Sequence, residues 1–152
     1  MVKLDVGCGY SKTKGYVGID KRKGVDIEHD LCEFPWPLKD NSCSHIKMNL
    51  VWGCIEPKYR IALMDEMWRI ASDDCVLDII EAHDMGPLSI HDPSYYSGAN
   101  DYTFLYFCPY CDKYKVYKPK PWGITKYYTN FSNIISVKLF PIKGESKNDT
   151  TV

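Results

Sequence analysis

Two short stretches near the N-terminus carry residue types that can hold a nucleoside. Leu4-Asp5-Val6-Gly7-Cys8-Gly9 is an apolar run that ends in two glycines, and Tyr16-Val17-Gly18-Ile19-Asp20 is an apolar run that ends in an acid. Glycines at a strand end let the backbone bend sharply and let a ligand approach with no Cβ in the way. A carboxylate at the end of the next strand offers two acceptor oxygens, enough for both hydroxyls of a ribose. The competing reading is a glycine turn beside an ordinary surface aspartate. A dinucleotide fingerprint wants a glycine at its third position, where Lys12 stands, so the spacing suggests an adenosine without a diphosphate.

Two further constellations could do chemistry. Cys108-Pro109-Tyr110-Cys111 has the spacing of half a zinc site or of a redox dithiol. A closed zinc site needs two more ligands, and the chain has no second Cys-x-x-Cys; His83 and His91 complete one only if folding brings them there. The thioredoxin-like context of a redox pair is missing, so two ordinary thiols and no metal is the reading adopted. Nine of the twelve tyrosines fall between Tyr95 and Tyr128. Over residues 113–128, Lys113, Lys115, Lys118, Lys120 and Lys126 interleave with Tyr114, Tyr117, Trp122, Tyr127 and Tyr128. Stacking faces beside cations are what single-stranded nucleic acid binding uses. The competing reading is an amphipathic hairpin with aromatics on the sheet and lysines in water.

The elements that must position these residues alternate in the α/β manner. Short strands are expected at Lys3–Val6, Tyr16–Ile19, Val25–His29 and Ser44–Leu50. The prolines of Phe34-Pro35-Trp36-Pro37 bar helix and central strand alike. Ile61, Met64, Trp68 and Ala71, widened by Leu63, Met67 and Ile70, make one apolar face of a helix from about Lys58 to Ala71, with Pro57 in its first turn. Ser72-Asp73-Asp74 should break it. Cys75–Ala82 is nearly all apolar, as a strand buried on both faces would be. Beyond it a short helix is expected at Asn100–Phe107, strands at Lys113–Lys118 and Ile134–Pro141, and a frayed polar tail over residues 144–152 behind a single domain of residues 1–143. Only Tyr10–Gly15 separates the glycines from the second strand, too few residues for a full crossover helix, so the first helix is shortened or absent. The fold expected is a Rossmann-like, mostly parallel twisted sheet with a C-terminal antiparallel hairpin.

Composition excludes other classes. The chain has 152 residues, 45% of them hydrophobic and 26% charged, which suits one globular domain rather than a disordered chain. No apolar run is long enough for a membrane span, and no signal peptide is expected. Seven cysteines, an odd number, suggest reduced thiols and a cytoplasmic location. The net charge of -1 hides an asymmetry: residues 1–111 carry -6 and residues 112–152 carry +5. An anionic partner is therefore expected at the C-terminal quarter.

From Leu4 to Glu81, about half of the chain, the sequence resembles the class I S-adenosylmethionine-dependent methyltransferases. It is most similar to a small subgroup that reads Leu-Asp-x-Gly-Cys-Gly, His-Asp-Leu, Phe-Pro-Trp-Pro and Asp-Asn-Ser. Those motifs are Leu4–Gly9, His29-Asp30-Leu31, Phe34–Pro37 and Asp40-Asn41-Ser42 here, and Met64–Ile70 matches the subgroup's helix before the fifth strand. The resemblance implies S-adenosylmethionine as cofactor. It places Asp5, Gly7, Cys8 and Gly9 at the methionine part, Asp20 at the ribose, Asp30 and Leu31 at the adenine, and Asn49 and Leu50 below the sulfonium. Methyl transfer from a sulfonium is an in-line displacement that needs mainly positioning. Asn49 and His83 are the catalytic candidates, His83 as general base if the acceptor must lose a proton. Trp52, Tyr10 and Tyr95 are candidates to face the cationic sulfur.

The sequence also departs from the subgroup. Gly53-Cys54 stands where a Glu-His pair is usual, the Lys-Pro-Gly-Gly turn is missing, and Asp92-Pro93-Ser94-Tyr95 lacks its histidine. Asn49-Leu50-Val51-Trp52 is not the Asn/Asp-Pro-Pro-aromatic element of enzymes that methylate base amino groups. The acceptor stays open, anionic or nucleic acid by the charge of residues 112–152. The rival readings are a non-catalytic scaffold or binding protein, with nucleic acid as its candidate partner, and a nicotinamide-dependent oxidoreductase, which Lys12 disfavours.

Overall fold

The computed structural model describes residues 1–111, 115–130 and 133–144. Seven strands make one sheet: β1 (Val2–Val6), β2 (Val17–Asp20), β3 (Ile27–Glu28), β4 (Cys43–Asn49), β5 (Ala71–Ala82), β6 (Trp122–Thr129) and β7 (Ile134–Pro141). Their order is β3-β2-β1-β4-β5-β7-β6. The first five are parallel, and β7 runs antiparallel between β5 and β6. The expected sheet and the antiparallel C-terminal pair are therefore present. The reversal of strand order beside β1 creates the crevice where open α/β sheets bind ligands.

The helices are few. A 3-10 turn at Pro57–Tyr59 leads into α1 (Arg60–Ile70), and α2 (Leu88–His91) is a single turn. Loops alone connect β1 to β2, β2 to β3 and β3 to β4. The absent first helix was legible in the short spacing, but the loss extends over the next two connections as well.

Several boundaries differ from expectation. β3 has two residues, not five. Helix α1 gives way directly to β5 at Ala71, because Ala71 is extended at φ -64, ψ 137, so Ser72-Asp73-Asp74 lies inside the strand. The helix of Asn100–Phe107 is a 3-10 turn at Phe104–Phe107. Residues 115–118 form no strand; β6 begins at Trp122, and Lys113 and Tyr114 lie outside the described residues, as does the expected tail beyond Gly144.

Register divides the sheet into two unlike faces, since paired residues share a side. Leu4, Val6, Ile19, Ile46, Met48, Leu77, Ile79, Val137 and Leu139 are fully buried beneath Leu63, Met64, Met67 and Ile70 of α1. The other face has no helix on it among the described residues. Its rows run Lys3–His45–Val76, then Asp5–Lys47–Asp78–Lys138–Lys126, then Asn49–Ile80–Ser136–Tyr128. This corrects the reading of Cys75–Ala82 as buried on both sides: Val76, Asp78 and Ile80 are only half-buried. Two of the three outward residues are apolar, so the alternation was invisible.

Trp36 takes the place of a crossover helix on the covered face. Its backbone N–H donates to Glu66 Oε1 at 2.6 Å and its indole N–H to the Leu31 carbonyl at 3.2 Å. Arg69 donates to both Glu66 oxygens and to the carbonyls of Trp36 and Leu38. The Phe-Pro-Trp-Pro loop is thus stapled to α1 by an i,i+3 ion pair whose acid is buried. Arg69→Ala leaves Glu66 uncompensated, and a loss of roughly 3 kcal/mol is expected in urea unfolding.

Candidate active site

The tips of β1 and β2 meet at the carboxyl edge of the sheet. Gly7 and Gly9 adopt φ +66 and +52, which turns the chain back toward β2. Gly7 N–H donates to the Ile19 carbonyl at 2.8 Å and Gly9 N–H to Asp20 Oδ2 at 2.8 Å. The other Asp20 oxygen accepts Arg22 N–H at 3.0 Å. Each carboxylate oxygen keeps a further lone pair. Val51 lies over Gly7, where a Cβ would stand 2.5 Å from its Cγ2.

Beyond these tips opens a cleft of about 670 Å³. Gly7, Asp20, Asp30, Leu31 and Leu50 line it, with Glu56, Tyr59, Asp92 and Tyr96 on further walls. Asp30 also caps its own turn, accepting Cys32 N–H at 2.8 Å. Leu50 holds φ +55, a left-handed conformation that costs a leucine energy and that clusters at ligand sites. Four acids, Asp20, Asp30, Glu56 and Asp92, face two cations, Lys21 and Arg22, so the lining suits a cationic ligand. The Lys58 ammonium, 2.7 Å away, holds the Glu56 carboxyl below its ordinary range.

The other residues singled out in the sequence stand elsewhere. Asp5 is 5% exposed and accepts Thr13 N–H at 2.7 Å, bracing the glycine loop from behind. Cys8 and Gly9 face a smaller cleft of about 180 Å³ with Lys12 and Asp26. Asn49 ends β4, exposed, on the uncovered face of the sheet. His83 is outside the lining; its Nδ1 accepts Met85 N–H at 3.1 Å and lies 3.0 Å from Asp84 Oδ1. Tyr10 stacks on Arg22 at 5.4 Å. Trp52 is a buried core residue, edge-on to Phe104 and Phe107 and beneath Arg60. Cys108 is buried and Cys111 exposed, and both are free thiols.

One group of importance escaped the sequence reading. Glu81, on β5, is fully buried and reaches beneath two walls of the cleft. It accepts Ala82 N–H at 2.8 Å, Gly53 N–H at 3.4 Å and the Tyr95 hydroxyl. The Tyr95 ring packs flat on Gly53, in space that a Cβ would fill. Tyr96 N–H donates to the Gly53 carbonyl at 2.8 Å, and Arg60 donates to Ser97 Oγ at 2.9 Å. These bonds join the segment after β4 to residues 92–97. The signal available was an acid next to the apolar pair Ile79-Ile80 near the end of β5, at the position of an inward-facing residue that would not be buried without partners.

Burial pushes the Glu81 carboxyl above its ordinary 4.5. A raised carboxyl favours the folded state fully below the unfolded value and loses that contribution as pH rises through the folded value. Glu81→Gln should therefore gain in stability relative to the parent as pH rises above about 4.5. Unfolding in urea across that rise checks it, and a pH-independent difference contradicts it.

No protein-family model and no curated protein matches the sequence. Solved structures do match in fold. A SAM-dependent methyltransferase of Thermotoga maritima superposes with TM-score 0.65 at 9% identity, over 93% of this chain and 82% of that one. The N-methyltransferase NodS of Bradyrhizobium japonicum, solved with S-adenosyl-L-homocysteine, gives 0.64 at 13% identity over 93% and 78%. A SAM-dependent methyltransferase of Archaeoglobus fulgidus gives 0.63 at 10% identity over 91% and 86%. The chain has the fold of the class I methyltransferases, as its motifs suggested.

Proposed function

We propose that the chain is an S-adenosylmethionine-dependent methyltransferase. The observation that carries this reading is the tie between Gly9 N–H and Asp20 at the mouth of the cleft, which makes the glycine bend and the acid one site. The residues present fit the cofactor. Gly7 leaves bare backbone where a side chain would intrude, Asp20 has lone pairs for ribose hydroxyls, and Asp30 and Leu31, the residues the resemblance assigns to the adenine, line the same cleft. The acidic lining complements a ligand that carries both a sulfonium and an ammonium group. The bound cofactor supplies an electrophilic methyl group.

The chain's own part is to bind and orient. Asp20 fixes the sugar, Asp30 the base, and the strained turn at Leu50 with Val51 shapes the floor beside Gly7. Glu56, Tyr59, Asp92 and Tyr96 remain for the acceptor. Holding the acceptor in line accounts for most of the rate such a reaction needs. His83, outside the lining, is not given the base role. Seven free thiols fit a reducing, cytoplasmic compartment, and no helix among the described residues is long and apolar enough to cross a membrane.

The second reading is a non-catalytic scaffold, favoured by the three helix-free connections around the cleft. Calorimetric titration with S-adenosylmethionine, S-adenosylhomocysteine and NAD tests the site: heat is expected with the first two only. Heat with NAD alone overturns the reading. Binding without transfer of a labelled methyl group to any component of a cell extract favours the scaffold.

A further inference from the structure

We propose that the uncovered face of the sheet binds single-stranded nucleic acid. This rests on the sheet rather than on the cleft, and it stands or falls independently of the cofactor. Parallel sheets are ordinarily covered on both faces, because their crossover connections lie across them. Here three of the crossovers carry no helix, and the longest of them, residues 29–42, puts Trp36 on the covered face.

That side is composed for an anionic, aromatic partner. Lys3, Lys47, Lys126 and Lys138 project from four different strands. Lys138 is paired with Asp78 at 3.1 Å. The other three have no carboxylate partner among the described residues: Lys47 donates to Thr13 Oγ1 at 3.1 Å, and Lys126 lies over the Tyr128 ring at 5.3 Å. Asp5, the remaining acid of these rows, is 5% exposed beneath Thr13, whose N–H it accepts.

Rings flank the lysines. Tyr16, just ahead of β2, meets His45 edge-on at 6.0 Å. Burial holds His45 below its ordinary range, so at neutral pH it is an uncharged ring. At the far side Tyr128 is 47% and Phe140 39% exposed. From β1 to β6 the platform spans about 19 Å at the usual strand spacing, room for a few nucleotides. Ring faces for bases with ammonium groups for phosphates are the two components of sequence-tolerant single-strand binding.

Two described lysines of the lysine- and tyrosine-rich stretch are engaged away from this surface. Lys120 lies over Trp68, a residue of α1, at 5.1 Å, and its N–H donates to Asp65. Lys115 donates to the Cys108 carbonyl at 2.6 Å. Of the described residues of that stretch, Lys126 and Tyr128 reach the uncovered face. A protein partner fits less well, because protein interfaces have apolar centres poor in lysine, and a row of alternating Lys and Asp crosses the middle of this face.

Fluorescence anisotropy of the full chain with labelled oligo(dT) and oligo(U) tests the proposal. Binding is expected, with a log–log salt slope of about -2 for three lysines on single strands. Lys3→Glu with Lys126→Glu should weaken it tenfold or more, and Tyr16→Ala with Tyr128→Ala by a similar factor. Lys118→Glu with Lys120→Glu should leave it unchanged. Melting temperatures and S-adenosylhomocysteine affinity, measured on the same variants, separate this surface from the fold and from the cleft. The proposal is overturned if neither oligonucleotide binds, if binding ignores salt, or if the Lys118/Lys120 pair matters as much as the sheet pair. A concentration-dependent dimer lost in the sheet variants, without oligonucleotide binding, would assign the face to a second copy of the chain.

Discussion

Asp20→Ala is expected to weaken S-adenosylhomocysteine binding by roughly 100-fold or more. A hydrogen bond to a charged group contributes about 1.5–3 kcal/mol, and a ribose offers two hydroxyls, so the loss is about 3–6 kcal/mol. The variant also releases Gly9 N–H and Arg22 N–H, which Asp20 now accepts at 2.8 and 3.0 Å, and the glycine bend loses its anchor. Asp20→Asn keeps the shape but presents an amide N–H to one of those donors, so it should bind weakly as well. Calorimetry on parent, Ala and Asn forms, each shown folded by circular dichroism, measures this. Retention of parental affinity in the Ala form would remove Asp20 from the site, and the cofactor assignment with it.

Gly53→Ala is expected to destabilise the chain by about 3 kcal/mol, a large effect for one added methyl group. The new Cβ would fall within the Tyr95 ring. The ring must move, its hydroxyl leaves Glu81, and a fully buried carboxyl loses a donor. The wall of the cleft that carries Asp92 and Tyr96 moves with it, so S-adenosylhomocysteine affinity should fall too. A double-mutant cycle isolates the cause. In a Tyr95→Ala background the same substitution meets no ring, and its cost should drop below about 1 kcal/mol. Additive costs would show that Gly53 matters for its backbone and not for Tyr95.

Both predictions concern one cleft, yet they were unequally visible beforehand. Asp20 stood out because a strand end, two glycines and an acid follow one another in the chain, and their meaning is local. Gly7 came with it, while Asp30, Leu31 and Leu50 came from the family resemblance; all of them line the cleft. Asp5, also on that list, proved to brace the loop: its side chain points to the opposite face of β1, and alternation decides which strand residues a ligand can reach. His83 lies beyond β5, where the chain turns toward Ala99 and its ring is engaged by Asp84 and Met85. Nothing in the order of residues announced that turn.

Periodicity in the chain determined β1, β2, β4, β7 and the second half of β5, the face of α1 and the missing first helix, because those depend on neighbours a few residues apart, but it missed β6. It determined equally that glycines and an acid would share one edge of a parallel sheet. Only the tertiary structure decided that Glu81 would gather Gly53 and Tyr95 and that Arg69 would staple the proline-rich loop. It alone decided that one face of the sheet would be left uncovered, with Lys126 on it and Lys120 against α1. Those outcomes depend on which strands become neighbours and on how far each connection reaches, and such distances are set by packing between segments remote in sequence.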